Sequence, residues 1–138
     1  MKHTTPSSRF IATCIFAAFI SNTLAPTIQY TFAANTQYYV DATLGSDAND
    51  GLSIATPWQS LTHVNTQVFS QGDTVSFLCG ESWTGTLDSV ESGIIGSPII
   101  YNAYGTGCTT TNRPQVENMS ISGASFVNIN SMRLLSSS

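Results

Sequence analysis

Residues 72–80 read Gly72-Asp73-Thr74-Val75-Ser76-Phe77-Leu78-Cys79-Gly80. The alternation from Thr74 to Leu78 has the period of two that puts Val75 and Phe77 on one face of a β-strand. Gly72-Asp73 supplies the turn into that strand, and Cys79-Gly80 the way out. Upstream, Leu61, Val64 and Val68 recur at i, i+3 and i+7, the spacing of one buried helical stripe, which Gly72 ends. Two starts fit this helix. Thr56 is a cap with Pro57 in the first turn and Gln59 three residues on, and Ser60 is a second cap beyond the extended proline segment. No other stretch has convincing helical periodicity.

Farther out the pattern is β on both sides. Tyr38-Tyr39-Val40 is an aromatic and β-branched run that ends in the turn formers Gly45-Ser46-Asp47-Ala48-Asn49-Asp50-Gly51. Downstream, Trp83-Thr84-Gly85-Thr86-Leu87 reads as a strand. Pro98-Ile99-Ile100-Tyr101 is apolar throughout, as expected of a strand buried on both sides. Val116 to Ile121, Phe126 to Asn130 and Met132 to Leu135 follow. Sandwiches, barrels and parallel solenoids whose coils repeat about every 20-odd residues all share this rhythm.

The first 33 of the 138 residues stand apart. Lys2, His3 and Arg9 give a basic start, and Phe10 to Ile20 is an apolar run too short to cross a bilayer at roughly 20 residues per span. Thr31-Phe32-Ala33 completes the layout of a secretory signal peptide over residues 1–33, with Ala25 and Ala34 as other cleavage positions. What remains is about one small domain, secreted or at the cell surface, with no membrane span after cleavage. It keeps all eight acidic residues of the chain, against only Arg113 and Arg133, and no lysine. Nothing in it could neutralise several phosphates, so nucleic acid is excluded as a partner, and anionic membrane surfaces with it. Cys14 lies in the signal segment, which leaves Cys79 and Cys108 as an even pair. In an oxidising compartment a bridge between them would close a loop of about 30 residues; two separate thiols are the alternative.

Short strings occur along the chain in a fixed order. Tyr38-Tyr39-Val40-Asp41 precedes Gly45-Ser46-Asp47, Asp50-Gly51, Thr56-Pro57-Trp58 and Ser60-Leu61. Gly72-Asp73-Thr74-Val75, Gly80, Trp83, Ser92-Gly93, Ser97-Pro98-Ile99-Ile100 and Ala103-Tyr104-Gly105 follow. Together they resemble the N-terminal region of secreted right-handed parallel β-helix proteins, the pectate-lyase-like superfamily, over residues 37–135. The resemblance implies an all-β solenoid: an N-terminal strand, turn and capping helix over 34–72, then the first coils over 73–138. The Leu61, Val64 and Val68 stripe would be the lid over the first coil. Asn128 and Asn130 would stand in an Asn ladder or in solvated loops. Phe126, Val127, Ile129, Met132, Leu134 and Leu135 begin a coil with nothing above it. The expectation is therefore a fragment of a longer β-helix, with a small complete domain as the alternative.

For function, the resemblance implies a carbohydrate-active protein that acts on or binds extracellular polysaccharide. In the lyases of that superfamily a basic side chain removes a proton alpha to a uronate carboxylate while calcium neutralises the acid group. Arg113 and Arg133 match no such motif, so no catalytic residue is assigned here, no cofactor is evident, and calcium belongs to a full-length lyase. A non-catalytic, adhesin-type surface protein is the alternative function. Trp83, Glu81 and Tyr101 are candidate sugar contacts, because aromatic faces pack on the C–H face of pyranoses; Trp58 and Tyr104 read as packing residues. Glu81, Asp88 and Glu91 could converge as hydrolytic carboxylates, although acids on one loop are more simply solvated. His63 is the sole histidine after the signal segment, with no partner there to hold zinc, and reads as a polar-face helix residue. Asp47, Asn49, Asp50 and Gly51 lack the spacing and the late glutamate of a calcium loop and read as an Asx-stabilised turn; no metal ligand is assigned. Asn118-Met119-Ser120 is an N-glycosylation sequon.

Overall fold

A computed structural model of the chain describes residues 35–135, so the signal segment expected at 1–33 lies outside the described residues. The alternating stretch 74–78 forms a strand, and its neighbours form the rest of a mostly β fold. The strands are β1 (Gln37–Val40), β2 (Thr74–Leu78), β3 (Ser82–Asp88), β4 (Ile99–Tyr104), β5 (Gln115–Ser120), β6 (Val127–Ile129) and β7 (Arg133–Leu134). They make two sheets, ordered β1-β2-β4-β6 and β3-β5-β7. From β2 onward successive strands alternate between the two sheets. Every strand pair is parallel, and the Val75 and Ile99 segments lie side by side, with Thr74 opposite Ile100 and Val75 opposite Tyr101. An antiparallel sandwich is thereby excluded.

Between the sheets lies a core of Val40, Val75, Phe77, Ile99 and Tyr101 from the first sheet and Trp83, Leu87 and Val116 from the second. Its rings interlock: Phe77 meets Trp83 edge to face at 5.1 Å, and Phe69 meets Tyr101 at 6.4 Å. Ile99 and Tyr101 are buried, but Ile100 between them is half-exposed. β4 is therefore covered on one side only, not on both as its apolar run suggested. Like its neighbours, it turns its alternate residues outward.

The helix is much shorter than its stripe. Helix α1 is the single turn Leu61–Val64, and Ser60, not Thr56, caps it by accepting from the His63 N–H at 3.0 Å. Val68 is 83% exposed; Phe69, one position later, enters the core instead. The chain leaves the helical path after Asn65, so the i+7 position no longer lies on the buried side. His63 is half-buried, with its ring edge-on to Trp58 at 5.2 Å.

Both sheets have their first strand closed. Along β1, the Tyr39 N–H donates to the Gly51 carbonyl at 2.8 Å. The Trp58 N–H donates to the Tyr39 carbonyl, and the Asp41 N–H to the Trp58 carbonyl, both at 2.9 Å. Trp58 is buried and stacks on Tyr38 at 4.8 Å. Gly45 and Gly51 are required here: a Cβ on Gly45 would lie 2.2 Å from the Trp58 carbonyl oxygen, and one on Gly51 2.4 Å from its ring. Along β3, the Asn65 side-chain amide acts as a short stretch of strand. Its Nδ2 donates to the Thr86 carbonyl at 2.8 Å, and its Oδ1 accepts from the Asp88 N–H at 3.0 Å.

The opposite edges differ. β6 and β7 each pair on one side only, and there Phe126 is 50%, Ile129 40% and Leu134 56% exposed. Asn128 and Asn130 are exposed as well.

Cys79 and Cys108 are joined by a disulfide, with Cα atoms 5.4 Å apart. It ties the exposed loop after β4 to the end of β2. No helix among the described residues is long and apolar enough to cross a membrane.

Asn65→Ala strips two backbone groups of β3 of their partner and lowers unfolding free energy in urea by about 1–3 kcal/mol, whereas Val68→Ala changes it by no more than about 0.5 kcal/mol. Cys79→Ser with Cys108→Ser lowers it by about 2–4 kcal/mol under non-reducing conditions and removes the effect of added reductant on the melting temperature.

Candidate functional site

In β1, Tyr38 packs inward on Trp58 and Phe69, so strand alternation places Tyr39 on the outer face of the first sheet. Two strands away, Tyr104 ends β4. The two rings meet edge to face with centroids 5.1 Å apart and planes at 80°. β2 runs between them and contributes Ser76, opposite Tyr39, and Leu78, opposite Tyr104. Ser76 is small enough to be fully covered, and its Oγ accepts from Gln37 Nε2 at 3.3 Å. Asn102, opposite Ser76 on β4, lies on the same face. Both tyrosines are half-buried, so each keeps part of its surface in water.

Two carboxylates border this pair. Asp41 follows β1 directly and is buried; its Oδ1 accepts from the N–H groups of Thr43 at 2.9 Å and Leu44 at 2.7 Å, which fixes the turn there. Glu81 precedes β3, and its Oε2 accepts from the Ala42 N–H. Burial, then the negative charges of Asp41 and Glu81, then Tyr39, push the Tyr104 phenol up to about 12. Tyr104 therefore stays a neutral phenol, able to donate and accept, over the whole physiological range.

The residues expected to touch sugar are distributed differently. Glu81 lies at this corner. Trp83 is only 4% exposed, with its ring on Phe77 and its Nε1 donating to the Gln59 carbonyl at 2.9 Å. Tyr101 is fully buried. Burial raises its phenol, the nearby Ser89 hydroxyl offsets this in part, and Glu91 adds to it. Its hydroxyl and the Ser89 Oγ are close enough to influence each other but not in hydrogen-bonding geometry. Neither ring offers a free face, because alternation turns both toward the core. Glu81 and Asp88 do not converge: Glu81 precedes the extended β3 and Asp88 ends it, about 23 Å away at 3.3 Å per residue.

The acidic turn is self-contained. Asp47 Oδ1 accepts from the N–H groups of Gln59 and Ser60, each at 2.9 Å, and its Oδ2 from Ser60 Oγ at 2.6 Å. Partial burial opposes ionisation of Asp47, but these bonds and nearby His63 outweigh it and hold the carboxyl below its usual range. Asp50 Oδ1 accepts from Thr56 Oγ1 at 2.7 Å and the Leu52 N–H at 3.0 Å. No group of three or more potential ligands for a metal occurs among the described residues. Asn118 is exposed on β5 rather than on a loop.

Sequence reasoning passed over Tyr39 and Asp41 as site residues. The signal was the pair Tyr38-Tyr39 inside a strand, since adjacent residues there must face opposite ways.

No protein-family profile matches the chain. Over 79 residues it is 35% identical to a lacto-N-biosidase from Bifidobacterium longum subsp. longum, a match that covers 54% of this chain and 5% of that protein. Solved structures of GH136 lacto-N-biosidase from Eubacterium ramulus, native and selenomethionine, match with 33% identity and a TM-score of 0.52. These matches take in 58% of this chain and 12% of the solved one. The chain thus spans a small part of the length of its relatives.

The Tyr104 environment sets a pH dependence. Above pH 10 the unfolded chain releases phenolic protons that folded Tyr104 retains, so stability falls as pH rises from about 10 to about 12. Glu81→Gln removes one of the opposing charges. Ultraviolet phenolate titration should show the highest-titrating tyrosine moving to lower pH in that variant.

Proposed function

We propose that this chain forms the N-terminal cap and first coils of a right-handed parallel β-helix in a secreted or surface carbohydrate-active protein. The observation that carries the reading is the 33% identity, in a shared fold, with solved lacto-N-biosidases. Three further features support it. Successive strands alternate between two wholly parallel sheets, as stacked coils require. The first strand of each sheet is closed, whereas β6 and β7 leave apolar residues in water, the arrangement of a stack able to take another coil. The disulfide suits an oxidising compartment.

The relatives bear a glycosidase name, so the carbohydrate chemistry is read here as glycosidic rather than as uronate elimination. No described residue is assigned a catalytic role. What the described residues offer to a glycan is the outer face of the first sheet, with Tyr39, Asn102 and Tyr104 beside Glu81. Such a face contributes contact and orientation, for which aromatic surface and amide hydrogen bonding are the usual means.

The test is a printed array of neutral and acidic glycans probed with the fluorescently labelled chain. Retention on a set of related glycans, abolished by free competitor, is expected. An array with no glycan above the blank would overturn the carbohydrate reading.

A further inference from the structure

We propose that the Tyr39–Tyr104 corner is a subsite for a neutral, hydroxyl-rich glycan and rejects uronate polymers. This rests on the carbohydrate reading above and adds the ligand class and the residues that select it.

Two observations point the same way. The rings stand at 80° with centroids 5.1 Å apart, so the pair presents two differently inclined aromatic surfaces to one site. A pyranose can lay its C–H face on one and abut the other with its rim, a fit that needs no charge on the sugar. The groups bearing electrostatically on Tyr104 are Asp41, Glu81 and Tyr39, all of them acidic. Asp41 is buried and its Oδ1 is taken by backbone N–H groups, so it acts through its charge; half-buried Glu81 is the carboxylate placed to accept from a sugar hydroxyl, a charge-assisted bond roughly twice as strong as a neutral one. The same carboxylates repel the carboxylate of a uronate, so the corner discriminates by repulsion as well as by attraction.

Composition reinforces this. A polyuronate carries one negative charge per residue, and any groove that follows it needs cations. The described residues hold eight carboxylates against Arg113 and Arg133. Arg133 is at the open end, in β7, and Arg113 follows the disulfide loop; neither is among the charges acting on Tyr104. The uronate-binding site implied by the lyase resemblance is the opposite of this electrostatic arrangement.

The experiment uses matched glycan pairs that differ only in oxidation at C6, such as galactan with polygalacturonate and glucan with glucuronan, in affinity electrophoresis of the full chain. Some neutral member is expected to retard the protein at least tenfold more than its oxidised partner. Tyr104→Ala should abolish that retardation, and Tyr39→Ala should weaken it, each with a far-ultraviolet circular dichroism spectrum like that of the parent chain. Glu81→Gln should narrow the gap between neutral and oxidised partners. If Tyr104→Ala fails to fold, Tyr104→Phe and Glu81→Gln still read the site through weaker neutral binding and a changed ratio. Preference for oxidised members would overturn the ligand class and leave the carbohydrate reading standing. Neutral binding unchanged by Tyr104→Ala would overturn the assignment of residues. Retardation by no glycan would overturn both readings.

Discussion

A parallel sheet that begins in mid-protein has an unpaired edge, and everything else in this fold depends on closing it. Left bare, the N–H and C=O groups of β1 and β3 would pair with another chain or carry the cost of being buried unpaired. Two different devices meet that demand. Beside β1, Gly51 and Trp58 supply backbone partners from a wide turn that folds back on the strand. Beside β3, one side-chain amide, that of Asn65, supplies both a donor and an acceptor. An amide is the one uncharged side chain able to do both at the spacing of a strand.

The helix that carries this amide is brief. Asn65 closes it with helical backbone angles, φ −68° and ψ −13°, and with its amide on β3. Stopping after one turn leaves Asn65 facing the strand edge and lets Phe69 reach Tyr38, Trp58 and Tyr101. Asp73 secures the far side of this segment: buried itself, it accepts from the Thr36 N–H at 2.9 Å and the Ser70 N–H at 2.8 Å, holding the entries to β1 and β2 together.

Much of this was legible in the chain itself. Alternation at 74–78, the turn cluster at 45–51 and the spacing of the β runs located nearly every strand. The ordered strings, from Tyr38-Tyr39-Val40-Asp41 to Thr56-Pro57-Trp58, converge in space on Trp58, and this is why glycine recurs among them. What sequence did not convey was orientation. Val68 fits a helical period that the chain abandons after Asn65, and Phe69 enters the core in its place. Trp83 and Tyr101 have the residue type of sugar contacts, yet strand phase turns them inward. Tyr39 was hidden for the converse reason, since an aromatic beside another aromatic reads as core until the phase of the strand is known.

Edge closure and the outer face meet in one residue. Tyr39 gives its N–H to Gly51 and its carbonyl to Trp58, so the contacts that seal the first sheet also immobilise the backbone under one ring of the tyrosine pair. Tyr104 is held in the same manner, its carbonyl accepting from the Cys79 N–H at 2.9 Å beside the disulfide. Both rings thus stand on backbone that the fold has already fixed, so a glycan packing on them as proposed would cost little further backbone entropy. A sheet whose first demand is to pair an orphan edge leaves, on its outer face, two aromatic rings set on fixed backbone.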